Sequence, residues 1–309
     1  MAFLDAILDT TLLGYSKIGF SSRRLSVDEP FPSLMEKHVM VTGATGGIGH
    51  AAVQRFASNG AIVHAVGRNR RKLDELVKQT EGRIVPHIAD LSLMEDNSRL
   101  ASAFIDLGEP LYGLVNNVGV MSPKRVTTAE GFELTYATNL LGQFVLTRKL
   151  VAGLGLKRPT RIVFVSSGGM YTQELTATNL ESVDGEYNGA KAYARTKRGQ
   201  VVLASQLADT TGAPSVVTSM HPGWVDTDGV KASLPTFQKI TRPILRDAPQ
   251  GADTMVWLVG SMQAADLNGE FVHDRLPRPK HRLGRTQVVA SVTKEFMTKL
   301  ESDAKPYLR

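Results

Sequence analysis

Tyr193 and Lys197 stand four residues apart in Tyr193-Ala194-Arg195-Thr196-Lys197, a spacing that puts both on one helix face. An ammonium beside a phenol favours phenolate and lowers the phenol's pKa. A side chain that ordinarily titrates at about 10 then becomes a usable general acid or base. A second device lies near the start, where Val39-Met40-Val41 runs into Thr42-Gly43-Ala44-Thr45-Gly46-Gly47-Ile48-Gly49. Glycines there allow a tight turn and close approach of backbone to a pyrophosphate. A helix starting at that point offers free N–H groups and the positive end of its dipole. Each pattern also has a plainer reading: a surface coincidence for the Tyr–Lys pair, a ligand-free turn for the glycines.

Other residues extend the second device. Gly67 falls 18 residues after Gly49, near where a dinucleotide site carries an acid for the ribose 2′-hydroxyl. Arg68 follows it instead, with Arg70 and Arg71 close by. A guanidinium grips a 2′-phosphate with two hydrogen bonds, so NADP(H) is favoured over NAD(H). Asp90, in Ala89-Asp90-Leu91-Ser92, suits the adenine amino group, or else a turn. In Asn116-Asn117-Val118-Gly119 the amides can tie neighbouring strands, and Gly119 permits close approach of a cofactor.

These residues need a scaffold. Strands are predicted at His38–Thr42, Ala61–Val66, Arg83–Ile88, Gly113–Asn116, Arg161–Ser166, Val216–His221 and Glu270–Phe271. Helices are predicted between them, at Gly49–Ser58, Arg70–Gln79, Leu93–Phe104, Glu130–Leu150, Tyr193–Ala208 and Ala248–Leu258. This alternation implies an α/β fold whose parallel sheet is covered on both faces. Its ligand site belongs at the carboxyl ends of the strands.

Composition removes several classes. With no cysteine, disulfides, thiolate nucleophiles and Cys-ligated metals are excluded. The histidines lack HExxH or similar spacing, so no metal is expected. The net charge of +6 comes without a zinc finger or an RRM or KH motif, so nucleic acid is not an expected partner. No apolar run reaches the ~18 residues of a membrane span. The start carries Asp5 and Asp9 without a basic leader, which reads as cytoplasmic.

Thr42-Gly43-x-x-x-Gly47-Ile48-Gly49, Asn116-Asn117-x-Gly119, Asn139, Ser167, Tyr193-x-x-x-Lys197 and Pro222-Gly223 occur in order and at fitting intervals. Together they resemble the short-chain dehydrogenase/reductase family over residues 38–275. Ser166–Met170, Ser219–Trp224, Gln250–Leu258 and Asp274-Arg275-x-Pro277 look like its dehydrogenase/reductase member 12 group. The resemblance implies one Rossmann-type, three-layer αβα domain with a doubly wound parallel sheet of about seven strands. It also implies an NAD(P)-dependent interconversion of a carbonyl and an alcohol.

The family's roles carry over residue by residue. Tyr193 would exchange the proton, Lys197 would lower its pKa and bind the nicotinamide ribose, and Ser167, rather than Ser166, would hold the substrate oxygen. Asn139 would offer its backbone carbonyl to a water leading to Lys197. Gly43, Thr45, Gly46, Gly47, Ile48 and Gly49 would surround the pyrophosphate, with Arg68, Asp90 and Leu91 toward the adenosine end. Asn117, Val118 and Gly119 would line the cofactor, and Pro222, Gly223, Val225 and Thr227 would form the loop over the nicotinamide.

Two departures stand out. Val118 replaces the family's usual alanine, and 26 residues separate Ser167 from Tyr193, more than in many members. The added Tyr171–Gly189 is expected to roof the substrate site, with a surface loop as the alternative. Val230, Leu234, Phe237 and Ile240 recur at helical spacing, which suits a mobile helix over an apolar, lipid-like substrate; plain core positions are the alternative. Residues 1–37 form an N-terminal extension whose Phe3, Leu4, Ile7, Leu8, Leu12 and Leu13 suit a helix packed on the domain, or else on a membrane surface. Residues 38–276 are the expected domain, and 277–309 a C-terminal extension with a helix at Gln287–Leu300. A homo-oligomer is left open. The competing function is a non-catalytic NADP(H)-binding regulatory or interaction protein on the same fold.

Overall fold

The computed structural model describes residues 12–23, 25, 32–80, 82–155, 159–183, 186–212, 214–227, 231 and 235–309. Strands β1 (His38–Thr42), β2 (Ile62–Gly67), β3 (Ile84–Ile88), β4 (Leu111–Asn116), β5 (Arg161–Val165), β6 (Val216–His221), β7 (Phe271–His273) and β8 (Leu276–Pro277) form one sheet. Its order is β3-β2-β1-β4-β5-β6-β7-β8. All neighbours run parallel except β7–β8, a two-residue antiparallel edge that makes eight strands where about seven were expected. Met40 of β1 sits beside His64 of β2 and Leu114 of β4, which fixes the central register.

Successive residues of β1 serve opposite faces. Met40 joins one core with Phe104, Phe144, Leu203 and Phe296. Val39 and Val41 join the other with Ala52, Phe56, Leu73 and Val256. One face is thus covered by α4 (Met94–Asp106), α5 (Gly142–Leu154), α6 (Gly189–Thr211) and α9 (Ala290–Ala304). The other is covered by α2 (Gly47–Ser58), α3 (Arg70–Lys78) and α8 (Ala248–Gly260). Two short helices, α1 (Lys17–Ser22) and α7 (Pro235–Thr241), lie outside these layers in sequence.

Element ends follow from capping. The Glu133 carboxylate accepts from Thr135 and Tyr136 N–H, so the α5 region starts at Leu134, not Glu130. Asn188 caps α6 through Lys191 N–H, which brings its start ahead of Tyr193. The tail helix runs Ala290–Ala304, and its Phe296, Leu300 and Ala304 are part of the core. Phe3, Leu4, Ile7, Leu8, Val230 and Leu234 lie outside the described residues. Leu13 and Ile240 are exposed, so Ile240 is not a core position. No helix among the described residues is long and apolar enough to cross a membrane.

A row of histidines crosses three strands. His38 Nδ1 meets His64 Nε2 at 2.9 Å, and His64 Nδ1 meets His87 Nε2 at 2.9 Å. Burial, then the charges of His87 and His38, push His64 down to about 3. Below the ordinary imidazole value the unfolded chain binds a proton that folded His64 refuses. Stability therefore falls as pH drops from about 6.5 toward 3, by up to ~1.4 kcal/mol per pH unit for this group. Urea melts at successive pH values should show this slope, and His64→Gln should flatten it by about one proton.

Candidate active site

The site is assembled where β1, β4, β5 and β6 end. Thr42 Oγ1 accepts from Asn117 N–H (2.9 Å) and Val118 N–H (3.0 Å) and donates to the Val115 carbonyl (3.2 Å). Asn117 Nδ2 donates back to the Thr42 carbonyl at 2.8 Å. The glycine turn lies on this staple. Gly43 has φ +69°, and a Cβ at Gly49 would sit 2.2 Å from the Gly43 carbonyl oxygen. Gly46 precedes α2 with no side-chain cap, and a Cβ there would meet nothing within 4 Å. Open space thus faces uncapped helix amides, which fits the pyrophosphate of a dinucleotide.

The far side of the turn is equally close-fitted. A Cβ on Gly67 would lie 2.7 Å from Thr45 Cγ2, and one on Gly47 would lie 3.2 Å from Thr227 Cγ2. Val225 is buried and, with Ile48, abuts Gly251. Thr227 and Val225 of the Pro222–Thr227 segment therefore lie close to the start of α2. Arg68 and Asp90 stand at the rim, 3.6 Å apart. Asp90 also makes a turn: its Oδ1 accepts from Ser92 N–H (3.0 Å) and Oγ (2.7 Å). Burial raises the Asp90 carboxyl, but the Ser92 hydrogen bonds and the Arg68 charge outweigh it and leave it below its usual value. The Leu91 side chain is buried, and its carbonyl accepts from Asn97 Nδ2.

The paired serines divide their tasks. Ser166 Oγ donates to the Lys197 carbonyl at 2.7 Å, tying β5 to α6. Ser167 Oγ accepts from Gly169 N–H at 3.3 Å, and its hydroxyl acts on the Tyr193 phenol, favouring the ionised form. Lys197 is buried, donates from Nζ to the Val165 carbonyl at 2.8 Å, and holds Nζ 5.3 Å from the Tyr193 ring centre. A Cβ on Gly119 would lie 3.2 Å from that Nζ, so the end of β4 also closes on the lysine.

The electrostatics differ from the simple ammonium–phenol picture. Burial pushes the Tyr193 phenol up to about 12, with the Ser167 hydroxyl opposing. Burial also pushes Lys197 down to about 7. A lysine driven toward neutrality gives little support to a phenolate, so Tyr193 is held protonated, as a proton donor must be.

Asn139 sits in a π-turn, Ala137–Leu141, ahead of α5. Its side chain brackets Val120, accepting from the N–H (2.7 Å) and donating to the carbonyl (2.9 Å). Its own carbonyl, expected to take a water, accepts from Gln200 Nε2 at 2.9 Å. Val118 offers its carbonyl to Gln143 Nε2 at 2.8 Å. The segment between Ser167 and Tyr193 is anchored: Leu175 and Leu180 enter the core, and Tyr187 OH donates to Glu133 Oε1 at 3.0 Å.

Sequence reasoning missed a buried charge cluster behind the Pro222–Val225 loop. Arg246 forms a two-pronged pair with Asp274 (2.6 and 2.8 Å), and Arg23 Nη1 meets the same carboxylate at 2.6 Å. Arg246 also donates to the Gly14 and Ser16 carbonyls, and Tyr15 packs on His221, His273 and Trp224. No local spacing joins residues this far apart; only the fold does.

The short chain dehydrogenase family model matches residues 37–236. Dehydrogenase/reductase SDR family member 12 of Bos taurus is 36% identical over 303 residues, covering 95% of each chain. The Homo sapiens protein of that name is 38% identical, covering 78% of each. Homo sapiens retinol dehydrogenase 12 is 29% identical, covering 77% of this chain and 78% of its own. Among solved structures, a Mycobacterium paratuberculosis protein superposes with a TM-score of 0.73 at 24% identity, covering 91% of this chain and 97% of its own. An Escherichia coli CFT073 short chain dehydrogenase complexed with NADPH gives 0.62 at 25% identity, covering 80% and 100%. With the glycine turn, Ser167, Tyr193 and Lys197 gathered at one sheet end, the chain belongs to the short-chain dehydrogenase/reductase family and is an NAD(P)-dependent oxidoreductase.

Proposed function

We propose that the protein interconverts an apolar carbonyl compound and its alcohol with NADP(H). The observation that carries this reading is buried Lys197 holding Nζ 5.3 Å from the Tyr193 ring centre at the end of β5, where Ser167 also lies. Bound nicotinamide would supply the hydride to the carbonyl carbon. Ser167 Oγ orients the carbonyl oxygen, and Tyr193 donates its hydroxyl proton to that oxygen as charge develops. Lys197, whose Nζ donates to the Val165 carbonyl, would bind the nicotinamide ribose. Gly43–Gly49 and the Pro222–Thr227 loop would hold the cofactor from two sides. An apolar substrate is supported by the retinol dehydrogenase relative.

The test is NADPH oxidation over a panel of retinal-type aldehydes, steroid-like ketones and short aldehydes, repeated with NADH. Turnover of the apolar members with NADPH is expected; firm NADPH binding with no turnover across the panel favours the regulatory alternative. The 2′-phosphate assignment rests on exposed Arg68 opposite Asp90. Arg68→Ala is expected to weaken NADPH about tenfold, the worth of one charge-assisted contact at a rim, and leave NADH almost unchanged. Equal losses for both cofactors would sink the assignment.

A further inference from the structure

His221 is the last residue of β6, next to Pro222. Its ring is buried, stacked on His273 with centres 5.0 Å apart and touched edge-on by Tyr15 at 4.7 Å. Its Nδ1 lies 3.2 Å from the backbone nitrogen of Gly168, the residue after Ser167. A backbone N–H can only donate, so Nδ1 is the bare acceptor and the single proton of the neutral ring sits on Nε2. Burial first, then His273 and Arg246, hold the ring well below the usual imidazole range, with Asp274 opposing. The acceptor is therefore present throughout the neutral pH range.

That hydrogen bond acts on the peptide between Ser167 and Gly168. Ser167 is extended (φ −157°, ψ 154°) and caps the 3-10 helix Gly168–Thr172, so its side-chain direction depends on how the next peptide is turned. A Cβ on Gly168 would lie 3.0 Å from His221 Nε2, which shows how closely the ring is laid along this backbone. The Ser167 hydroxyl in turn acts on the Tyr193 phenol, opposing the effect of burial.

We infer that His221 is a positioning residue: its Nδ1 fixes the Ser167–Gly168 peptide and thereby sets the direction of the Ser167 side chain, while Tyr15 and His273 clamp the ring. The inference rests on the substrate-orienting role proposed for Ser167. It extends the reach of the site to Tyr15, outside the segment that carries the family motifs.

Two substitutions separate the acceptor from the bulk of the ring. His221→Asn places an amide oxygen close to the Nδ1 position, and His221→Leu offers no acceptor. With NADPH and the aldehyde turned over fastest in the panel, His221→Leu should lower kcat at least about tenfold and leave the NADPH KM within about twofold. His221→Asn should recover most of the rate. A His221→Leu variant within about twofold of the parent kcat overturns the inference, as does His221→Asn being equally slow, or a loss shared with NADPH binding. Ser167→Ala is measured alongside. If it keeps the parent rate, the role given to Ser167 fails; if it is slow while His221→Leu is not, only the present inference fails. A measurement free of substrate and of mutant folding is the long-range proton–nitrogen NMR spectrum of the imidazoles. His221 should show a bare Nδ1 and a protonated Nε2 from about pH 5 to 8, and a proton on Nδ1 overturns the inference.

Discussion

Tyr193→Phe is expected to lower kcat by ~10²–10⁴-fold while leaving NADPH affinity and thermal stability close to those of the parent chain. The substitution removes one oxygen and keeps the ring, so the packing of α6 against the end of β5 is preserved. What is lost is the proton that would pass to the substrate oxygen. The phenol is held at about 12 by burial, so at neutral pH it is protonated and ready to donate. Ser167 keeps a partner in Gly169 N–H, which guards against a collapse that would mimic a catalytic loss. The measurement is steady-state NADPH oxidation together with NADPH titration by fluorescence. A variant retaining most of its rate would rule out Tyr193 as the donor.

Asp274→Ala is expected to cost about 3–5 kcal/mol of unfolding free energy, the range for breaking a buried ion pair from one side. Asp274 is buried and its two oxygens are shared by Arg246 and Arg23, themselves buried side chains. Removing the carboxylate leaves two desolvated guanidinium groups without the charge that balanced them. The backbone adds a second consideration: Asp274 has φ +53°, where a residue with a Cβ is strained and Asn and Asp are tolerated better than Ala. Asp274→Gly relieves that strain and still removes the charge, and Asp274→Asn keeps the conformation and part of the hydrogen bonding. The expected order of stability is therefore parent, Asn, then Gly and Ala, read from urea unfolding followed by circular dichroism. An Asp274→Ala chain as stable as the parent would show that the cluster contributes nothing.

Much of the architecture was legible because a parallel sheet buried on both faces leaves a plain record. Val39-Met40-Val41 can only be a core strand between helical periods, and β1 and β6 fall where the apolar runs place them. The closeness of the candidate pair was legible for a different reason: Tyr193 and Lys197 are positioned by one helix, so their relation survives in local spacing. Helix starts were less visible, because the caps at Glu133 and Asn188 depend on side-chain direction. The pKa balance at Tyr193 was not legible at all. The spacing shows an ammonium near a phenol; it does not show that burial drives both groups toward their neutral forms. Arg246, Asp274 and His221 were invisible in the same sense, since their partners come from residues 14–23 and 168, far away in the chain.

The Arg23–Asp274 contact also has a timetable. The partners are 251 residues apart in the chain. At ribosomal rates of ~5–20 residues per second, Asp274 is made on the order of 10–50 s after Arg23. During that interval β1 to β6 are synthesised and can begin to pair, while Arg23 and the Gly14 and Ser16 carbonyls wait for groups not yet made. Contacts of such long range form late. The Pro222–Val225 loop therefore gains its backing only after Asp274 is made, and a nascent chain stopped before residue 274 would carry Tyr193 and Lys197 without the clamp behind Pro222 and Gly223.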